Sequence, residues 1–207
     1  MGVKERRALE KELRRKQILD AARKLLFETG MKAISINKIA NEAELGVGTI
    51  YFYYKNKEEI FAALQEEGLK LLYKEIEKIY KNKKEADKKL KEMAFAYLQF
   101  TNKKKDYFDI ISYFLSSSEV IFPPELKTQI DLSGNKIISL IASTVDDGIK
   151  DGLFKSIDSR RFSIVFWGTI HGLVQFQKLK NTILHGDNHK EIYQYAVDSL
   201  VDGLYLK

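Results

Sequence analysis

The stretch SINKIANEAELGVGTIYFYYKNK, residues 35–57, contains two short apolar-periodic segments separated by a tight connection. Ser35 is a suitable N-cap for the first segment, because a serine hydroxyl can accept a hydrogen bond from the N–H groups of the first turn. The connection around residues 44–46 predicts a turn of about three residues, followed by a second helix over residues 47–54. The predicted buried face of the first segment consists of Ile36, Ile39, Ala40 and Ala43.

A longer helix is predicted before this stretch, since apolar residues recur at three- and four-residue spacing from Ile18 to Leu26. Gly30 follows as its expected C-terminal cap. A helix, a short helix, a tight turn and another short helix form a helix-turn-helix, whose second short helix enters the major groove of DNA. The pattern therefore predicts an N-terminal DNA-binding unit.

The helix predicted over residues 47–54 has an inward and an outward side. At about 100° per residue, Ile50 and Tyr54 fall on the side that can pack on the preceding helices. Gly48 lies on the opposite side, where the missing side chain lets the backbone approach a groove closely. Phosphate oxygens take hydroxyls and lysines, whereas base edges take apolar contacts. The residues expected to meet DNA here include Thr49, Tyr51, Phe52, Tyr53, Lys55 and Lys57.

The positive charge of the chain is concentrated at the same end. The formal net charge of +6 belongs entirely to residues 1–57, which hold 13 Lys/Arg and 7 Asp/Glu, so residues 58–207 are neutral overall. Such asymmetry is typical of a protein that meets a polyanion at one end. The competing interpretation is a solvated face that is basic by chance.

The segment from Ile18 to Ile60 resembles the DNA-binding domain of the TetR family of bacterial transcriptional regulators. The matching pieces are ILDAARKLLFETG (18–30), SINKIANEA (35–43) and GVGTIYFYYKNKEEI (46–60). The resemblance implies a helix-turn-helix domain joined by a long helix to a larger helical domain for ligand binding and dimerisation. It implies phosphate contacts from Ser35, Thr49, Tyr51, Tyr53, Lys55 and Lys57, and base contacts from Asn37, Val47, Gly48 and Phe52.

Two residues of the turn depart from the family pattern. Where the family usually has glycine, this chain has Glu44, which brings a negative charge near the groove and is expected to strain the turn. Where the family usually has serine or another polar residue, this chain has Gly46, which can cap a helix but offers no hydroxyl.

Residues 4–16, KERRALEKELRRK, hold seven basic and three acidic residues upstream of the resemblance. One interpretation extends the first helix and places Arg14, Arg15 and Lys16 along a phosphate strand. The other is a frayed, solvated arm. The sequence leaves both open.

Apolar spacing predicts helices through the rest of the chain, so the predicted fold class is all-α. Asn56 followed by Glu59 is a capping-box pattern that begins a long helix reaching about residue 80. We predict a DNA-binding domain over residues 1–57 and a ligand-binding and dimerisation domain over residues 58–207. Further helices are predicted at 85–101, 105–117, 124–151, 159–181 and 189–205.

All but five of the aromatic residues lie after residue 57. As a set between helices, such rings would suit a small, largely apolar or aromatic effector, although any single ring is more often core than pocket. Trp167, His171 and Gln175 recur every four residues and predict one wall of a pocket. A buried, hydrogen-bonded histidine is the competing interpretation of His171. The candidate effector-binding residues are Phe95, Tyr107, Phe108, Phe114, Trp167, His171 and Gln175.

The last two helices carry the expected dimer interface. Gly168 and Gly172 are about one turn apart and would permit close helix approach. Two such helices from each subunit could form a four-helix bundle. The competing interpretation packs the same stripe within one subunit. The predicted interface comprises Gly168, Gly172, Ile192, Tyr195, Ala196, Ser199, Leu200 and Gly203.

Catalytic and metal chemistry is not expected from this sequence. The chain has no cysteine for thiolate metal sites or disulfides, and we find no nucleotide-binding or nucleophile motif. His185 and His189 enclose glycine and turn-forming residues, which predicts a surface loop rather than a metal site. We therefore expect neither a cofactor nor an enzymatic activity.

The leading hypothesis is a homodimeric repressor that a small effector releases from double-stranded operator DNA. The chain shows no apolar run of membrane-spanning length and no signal segment, which predicts a cytoplasmic protein without membrane contact. The alternatives are a DNA-binding regulator without a small ligand, and an all-helical carrier or enzyme for small molecules.

Overall fold

The computed structural model describes residues 2–116, 122–179, 182, 184 and 188–206. Within these ranges the regular elements are helical, apart from one isolated bridge between Phe154 and Tyr205, which confirms the predicted all-α class. Short 3₁₀ turns lie at Met31–Ala33 and Gln177–Leu179. The α-helices are α1 (Val3–Thr29), α2 (Ile36–Glu42), α3 (Val47–Tyr53), α4 (Lys57–Tyr80), α5 (Ala86–Lys103), α6 (Lys105–Ser116), α7 (Pro124–Lys150), α8 (Ser159–Phe176) and α9 (His189–Asp202).

The helix caps predicted at Ser35 and Gly30 are present in the structure. Ser35 begins α2, since its hydroxyl oxygen accepts from the N–H of Lys38 at 3.3 Å. Gly30 ends α1 with a φ of 71°. The predicted final helix continued to residue 205, whereas α9 ends at Asp202. The predicted helix 159–181 ends at Phe176, where the backbone tightens into a 3₁₀ turn. Residue 117 of the predicted helix 105–117 and residues 180 and 181 lie outside the described residues.

The chain forms two compact units. The first comprises Met1–Gly68 and Asp109–Asp131, and the second comprises Leu69–Phe108 and Leu132–Lys207. The predicted DNA-binding domain, residues 1–57, lies wholly within the first unit. The boundary placed at residue 57 stays a prediction.

The core of the first unit forms where α1 packs against α2. The apolar stripe of α1 supplies Ile18 and Ala22, both with no exposed surface, and α2 supplies Ile39 in the same state. Burial of this apolar surface stabilises the short helices, which would not persist alone in water.

The second unit is held together by α5, α8 and α9, which contact one another. The Tyr193 hydroxyl of α9 donates to the carbonyl of Ala94 in α5 at 2.7 Å, so a buried phenol is satisfied between two helices. Phe166 of α8 and Val201 of α9 are fully buried.

Gly148 permits a close approach at the end of α7. A Cβ built at Gly148 would lie 2.3 Å from Cδ2 of Phe154 and 2.9 Å from Cβ of Ala86. Phe154 is buried, and its backbone bridges to Tyr205, whose hydroxyl donates to Asp87 at 2.8 Å. The absence of a side chain at Gly148 therefore lets Phe154 pack against α7, where its backbone pairs with the segment that follows α9.

Two substitutions on α7 separate this packing requirement from helix propensity. Gly148→Ala is expected to lower the free energy of unfolding by about 1–3 kcal/mol, because the buried Phe154 ring must shift. Gly134→Ala, where a built Cβ meets nothing within 4 Å, is expected to raise it by about 1 kcal/mol through helix propensity. Urea unfolding of both variants measures the difference, and a G148A protein as stable as G134A would contradict the packing argument.

Candidate functional site

The turn between α2 and α3 is a Schellman motif built on Glu44. The N–H of Leu45 donates to the carbonyl of Ala40 at 2.9 Å, and the N–H of Glu44 donates to that of Asn41 at 3.1 Å. These two bonds close a helix C-terminus in this motif. Glu44 has a φ of 53°, in the left-handed region that costs a residue with a Cβ about 1–2 kcal/mol. The strain predicted for this position is therefore present.

Side chains of α1 hold the same turn in place. The Gln17 amide donates to the carbonyl of Ala43 at 2.6 Å. The Lys24 ammonium pairs with the Glu42 carboxylate at 2.6 Å, and this hydrogen bond raises the pKa of Lys24. The angle at which α3 leaves α2 is thus set by backbone bonds and by two contacts from α1.

The inward side of α3 is seated as predicted. Ile50 is 0% exposed and Tyr54, which caps the helix, is 4% exposed. The Arg15 guanidinium lies 5.4 Å from the centroid of the Tyr54 ring, a cation–π contact. Burial raises the pKa of the Tyr54 phenol.

The outward side of α3 is open. Val47, Tyr51 and Phe52 are 37%, 55% and 76% exposed, and a Cβ built at Gly48 would meet nothing within 4 Å. Neighbouring exposed apolar side chains of this kind form a patch, which is typical of an interaction surface. The remaining predicted contacts border this side: Ser35, Asn37 and Lys55 are exposed, whereas Thr49 and Tyr53 are half-buried.

Lys57 stands apart from the other predicted DNA contacts. Its ammonium donates to the carbonyl of Ile34 at 3.2 Å and to that of Met31 at 3.4 Å, and the residue is half-buried. Lys38 similarly donates to the carbonyl of Ala33 at 2.7 Å. These lysines satisfy carbonyls of the turn before α2, so only part of the Lys57 ammonium is left to meet a phosphate.

A cluster of rings lies in the second unit, which we call the ring cluster: Tyr97, Phe108, Trp167 and His171. The Tyr97 ring centroid lies 4.7 Å from that of Trp167 and 6.3 Å from that of Phe108. The Tyr97 hydroxyl is 2.6 Å from Nδ1 of His171. Burial raises the pKa of Tyr97 and lowers that of His171. Both groups are therefore neutral at pH 7, and one hydrogen bond joins the phenol oxygen to the imidazole.

Tyr97 was not among the predicted effector contacts. The apolar residues around Tyr97 on α5 indicate a core position, and Tyr97 is buried. Helical periodicity does not reveal that Tyr97 lies near Phe108, because that contact depends on how the helices pack. The other predicted residues are dispersed. Phe95 is 41% exposed beneath the Lys190 ammonium, Phe114 belongs to the first unit beside Phe61 and Phe122, and Tyr107 and Gln175 are half-buried.

The predicted dimer residues lie on uncovered sides of α8 and α9. Tyr195 is 76% exposed, and Gly168, Ser199 and Gly203 are exposed. Gly172, Ile192, Ala196 and Leu200 are half-buried. Three further apolar residues of α8, outside the predicted interface, are 53%, 55% and 40% exposed: Ile164, Val165 and Phe176.

No group of three His, Cys, Asp or Glu residues suited to a metal ion occurs within the described ranges. His189 begins α9, and its Nε2 lies 2.7 Å from the carbonyl oxygen of Leu173 in α8. His185 lies outside the described residues. In the part of the chain that the structure describes, no helix is long and apolar enough to cross a membrane.

Comparison with known proteins adds to this geometry. Residues 18–64 match the family model of bacterial regulatory proteins of the tetR family. An uncharacterised HTH-type transcriptional regulator, YhgD of Bacillus subtilis, is 32% identical over 145 residues, which cover 70% of this chain and 74% of that protein. The fatty acid metabolism regulator protein of B. subtilis is 28% identical over 155 residues, 74% of this chain and 78% of that protein.

The fold is also shared with solved structures. The transcriptional regulator FadR from B. subtilis, crystallised in complex with stearoyl-CoA, superimposes with a TM-score of 0.76 at 24% identity, covering 92% of this chain and 99% of that one. At this identity the likeness establishes the fold.

Substitutions at Glu44 test the strained turn. Glu44→Gly is expected to raise the free energy of unfolding by about 1 kcal/mol, because glycine adopts positive φ without a Cβ penalty. Glu44→Ala removes the same charge but keeps a Cβ, so it should be no more stable than the parent protein. Urea unfolding compares them, and equal midpoints for the two variants would show that the strain does not reside at this backbone position.

Proposed function

Because the chain belongs to the TetR family of bacterial transcriptional regulators, we propose that it is a homodimeric repressor released from its operator by a long-chain acyl-CoA thioester. The observation that carries DNA binding is the division of α3 into two sides. Ile50 is fully buried, whereas Tyr51 and Phe52 stand mostly in solvent next to basic residues.

Each outward group of α3 suits one part of a DNA duplex. Thr49 and Tyr51 carry hydroxyls for phosphate oxygens. Val47 offers an apolar side chain to a thymine methyl group, and the bare backbone at Gly48 admits close approach to base edges. Since Asn37 is the one predicted base contact with an amide, sequence readout depends heavily on it and on apolar contacts.

The effector assignment rests on relatives and on the ring cluster together. One relative is named a fatty acid metabolism regulator, and a protein of the same fold was crystallised with stearoyl-CoA. An acyl chain requires a mainly apolar, aromatic-lined site. The ring cluster supplies aromatic side chains of this kind within the second unit, where they pack against one another.

We assign the transmission of the effector signal to the long helix α4, because this helix has residues in both units. It follows α3 after three residues, and the junction is tied by two hydrogen bonds: the N–H of Glu59 donates to Asn56 at 2.9 Å, and that of Lys55 donates to Glu59 at 2.8 Å. A displacement of α4 would therefore move the end of α3. Repression is relieved only if the acyl-CoA binds the non-DNA-binding state more tightly than the DNA-binding state.

Dimerisation would complete the DNA-binding arrangement. Two recognition helices must reach successive major-groove faces, about 34–36 Å apart or a multiple of that. The uncovered sides of α8 and α9 combine glycines with exposed apolar side chains such as Ile164 and Tyr195, which favours a four-helix bundle between two subunits.

Stearoyl-CoA should release the protein from a fluorescent duplex spanning the DNA upstream of its own gene, seen as a fall in anisotropy. The same titration should alter the emission of Trp167, the single tryptophan of the chain, since it lies in the ring cluster. Free CoA should change neither signal. Phe108→Leu should weaken stearoyl-CoA binding about tenfold through lost ring contacts.

Phe95→Leu is the matched control and should leave stearoyl-CoA affinity unchanged, because Phe95 lies beside Lys190 and outside the ring cluster. Binding to the duplex no tighter than to a scrambled one would overturn the DNA-binding part of the proposal. Specific binding that stearoyl-CoA leaves intact would overturn the effector part and favour a regulator without a small ligand.

Ser199→Lys on α9 should convert the dimer into a monomer and abolish specific DNA binding, since it places a charge in the centre of the proposed interface. Gln194→Lys adds the same charge to another exposed side of α9 and should leave the dimer intact. Sedimentation velocity distinguishes the two variants. A dimeric S199K protein would place the interface elsewhere.

A further inference from the structure

The first half of α1 projects from the first unit without burying anything. The helix begins at Val3, yet its first buried residue is Ile18, and residues 3–16 are all exposed. At about 1.5 Å per residue, this extension is about 21 Å long. Residues 4–16 therefore extend the first helix and do not form a frayed arm.

The extension carries one basic side. Lys4, Arg7, Lys11 and Arg14 are separated by three, four and three residues, and Ile18 follows four residues later. This spacing keeps them on one face of the helix. Together with the adjacent Arg15 we call these residues the basic stripe.

The basic stripe continues the register of the buried face. Beyond Ile18 the same face carries Leu25, which is buried in the core that α1 forms with α2. The stripe therefore points to the side of α1 on which the helix-turn-helix lies.

The opposite side of the extension is mixed in character. Leu9 and Leu13 are 51% and 59% exposed there, with Glu5 and Glu12 close by at about 100° per residue. Two basic residues, Arg6 and Lys16, also lie on this side, so Lys16 does not follow Arg14 and Arg15 along one phosphate strand as the sequence interpretation had it. No acidic residue lies within the basic stripe itself, although Glu10 borders it beside Arg14.

The stripe meets the end of α3 at its own C-terminal end. Arg15 lies over the ring of Tyr54, the residue that caps α3. Tyr51 and Phe52 occupy the preceding turn of the same helix and are exposed. This end of the stripe therefore lies within about one helical turn, along α3, of these exposed side chains.

We propose that the basic stripe is a second DNA-contact element, which lies along backbone phosphates flanking the groove read by α3. The inference rests on the proposed DNA-binding function and adds a contact outside the helix-turn-helix. About 21 Å of duplex axis presents about six phosphates on each strand, at one per 3.4 Å. Such a length can engage several lysines and arginines at once, and phosphate contacts of this kind strengthen binding to any base sequence.

The salt dependence of DNA binding tests this proposal. Arg7→Gln/Lys11→Gln removes two charges from the stripe, and Arg6→Gln/Lys16→Gln removes two charges from the opposite side of the same extension. Anisotropy titrations on the upstream duplex, at several salt concentrations, give the slope of log K against log salt. The stripe variant should reduce the slope by about 1.8 per protomer, at about 0.9 per phosphate contact. The control should reduce it by less than half as much.

Equal slope changes in the two double variants, or none in either, would overturn the proposal. Circular dichroism should show unchanged helix content in both, because glutamine is a good helix former and all four positions are exposed. The scrambled duplex keeps this test separate from the proposed function. Phosphate contacts form on the scrambled duplex equally well. The salt slopes measured on that duplex therefore test the basic stripe even if the upstream duplex shows no specific binding.

Discussion

A helix of seven residues cannot keep its conformation alone in water, so α3 depends on the burial of Ile50 and Tyr54. These two residues are four positions apart, so their side chains lie on the same side of the helix and pack that side against the core. The other side is thereby forced outward, and Tyr51 and Phe52 are exposed for that reason. The same anchoring that stabilises the helix creates its candidate DNA surface.

A single register on α1 serves two purposes. After Ile18 the face carries apolar residues and joins the core, whereas before it the same face carries lysine and arginine. Because a straight helix keeps both halves of that face aligned, core packing also orients the basic stripe. Gln17 and Lys24 bind the turn before α3 from this helix, so α1 positions both proposed DNA contacts. Their relative placement therefore depends on one rigid element.

Local chemistry explains which features could be predicted from sequence. The cap at Ser35, the stop at Gly30 and the strain at Glu44 each follow from a residue's own backbone preference, and each occurs. The two sides of α3 follow from helical periodicity. The Lys57 ammonium instead binds carbonyls of Met31 and Ile34, about 25 residues upstream, and no periodicity encodes such a contact. Tyr97 likewise reads as ordinary core until the packing of α5 against α8 brings it to His171.

If the proposed effector enters the ring cluster, the packing of the rings makes a long acyl chain more favourable than a small aromatic ligand. Tyr97 is 1% exposed and bonded to His171, so a ligand that enters between the rings must separate buried surfaces and break that bond. The lost hydrogen bond costs about 1 kcal/mol, and each parted ring pair costs about 0.5–1.5 kcal/mol more than its area alone. Each methylene leaving water contributes about 0.8 kcal/mol, so a stearoyl chain offsets this cost within its first several carbons. The carbons beyond that would supply net binding free energy, whereas a single-ring ligand has few atoms with which to do so. This free energy would shift the DNA-binding equilibrium only if the rings part in the state that does not bind DNA.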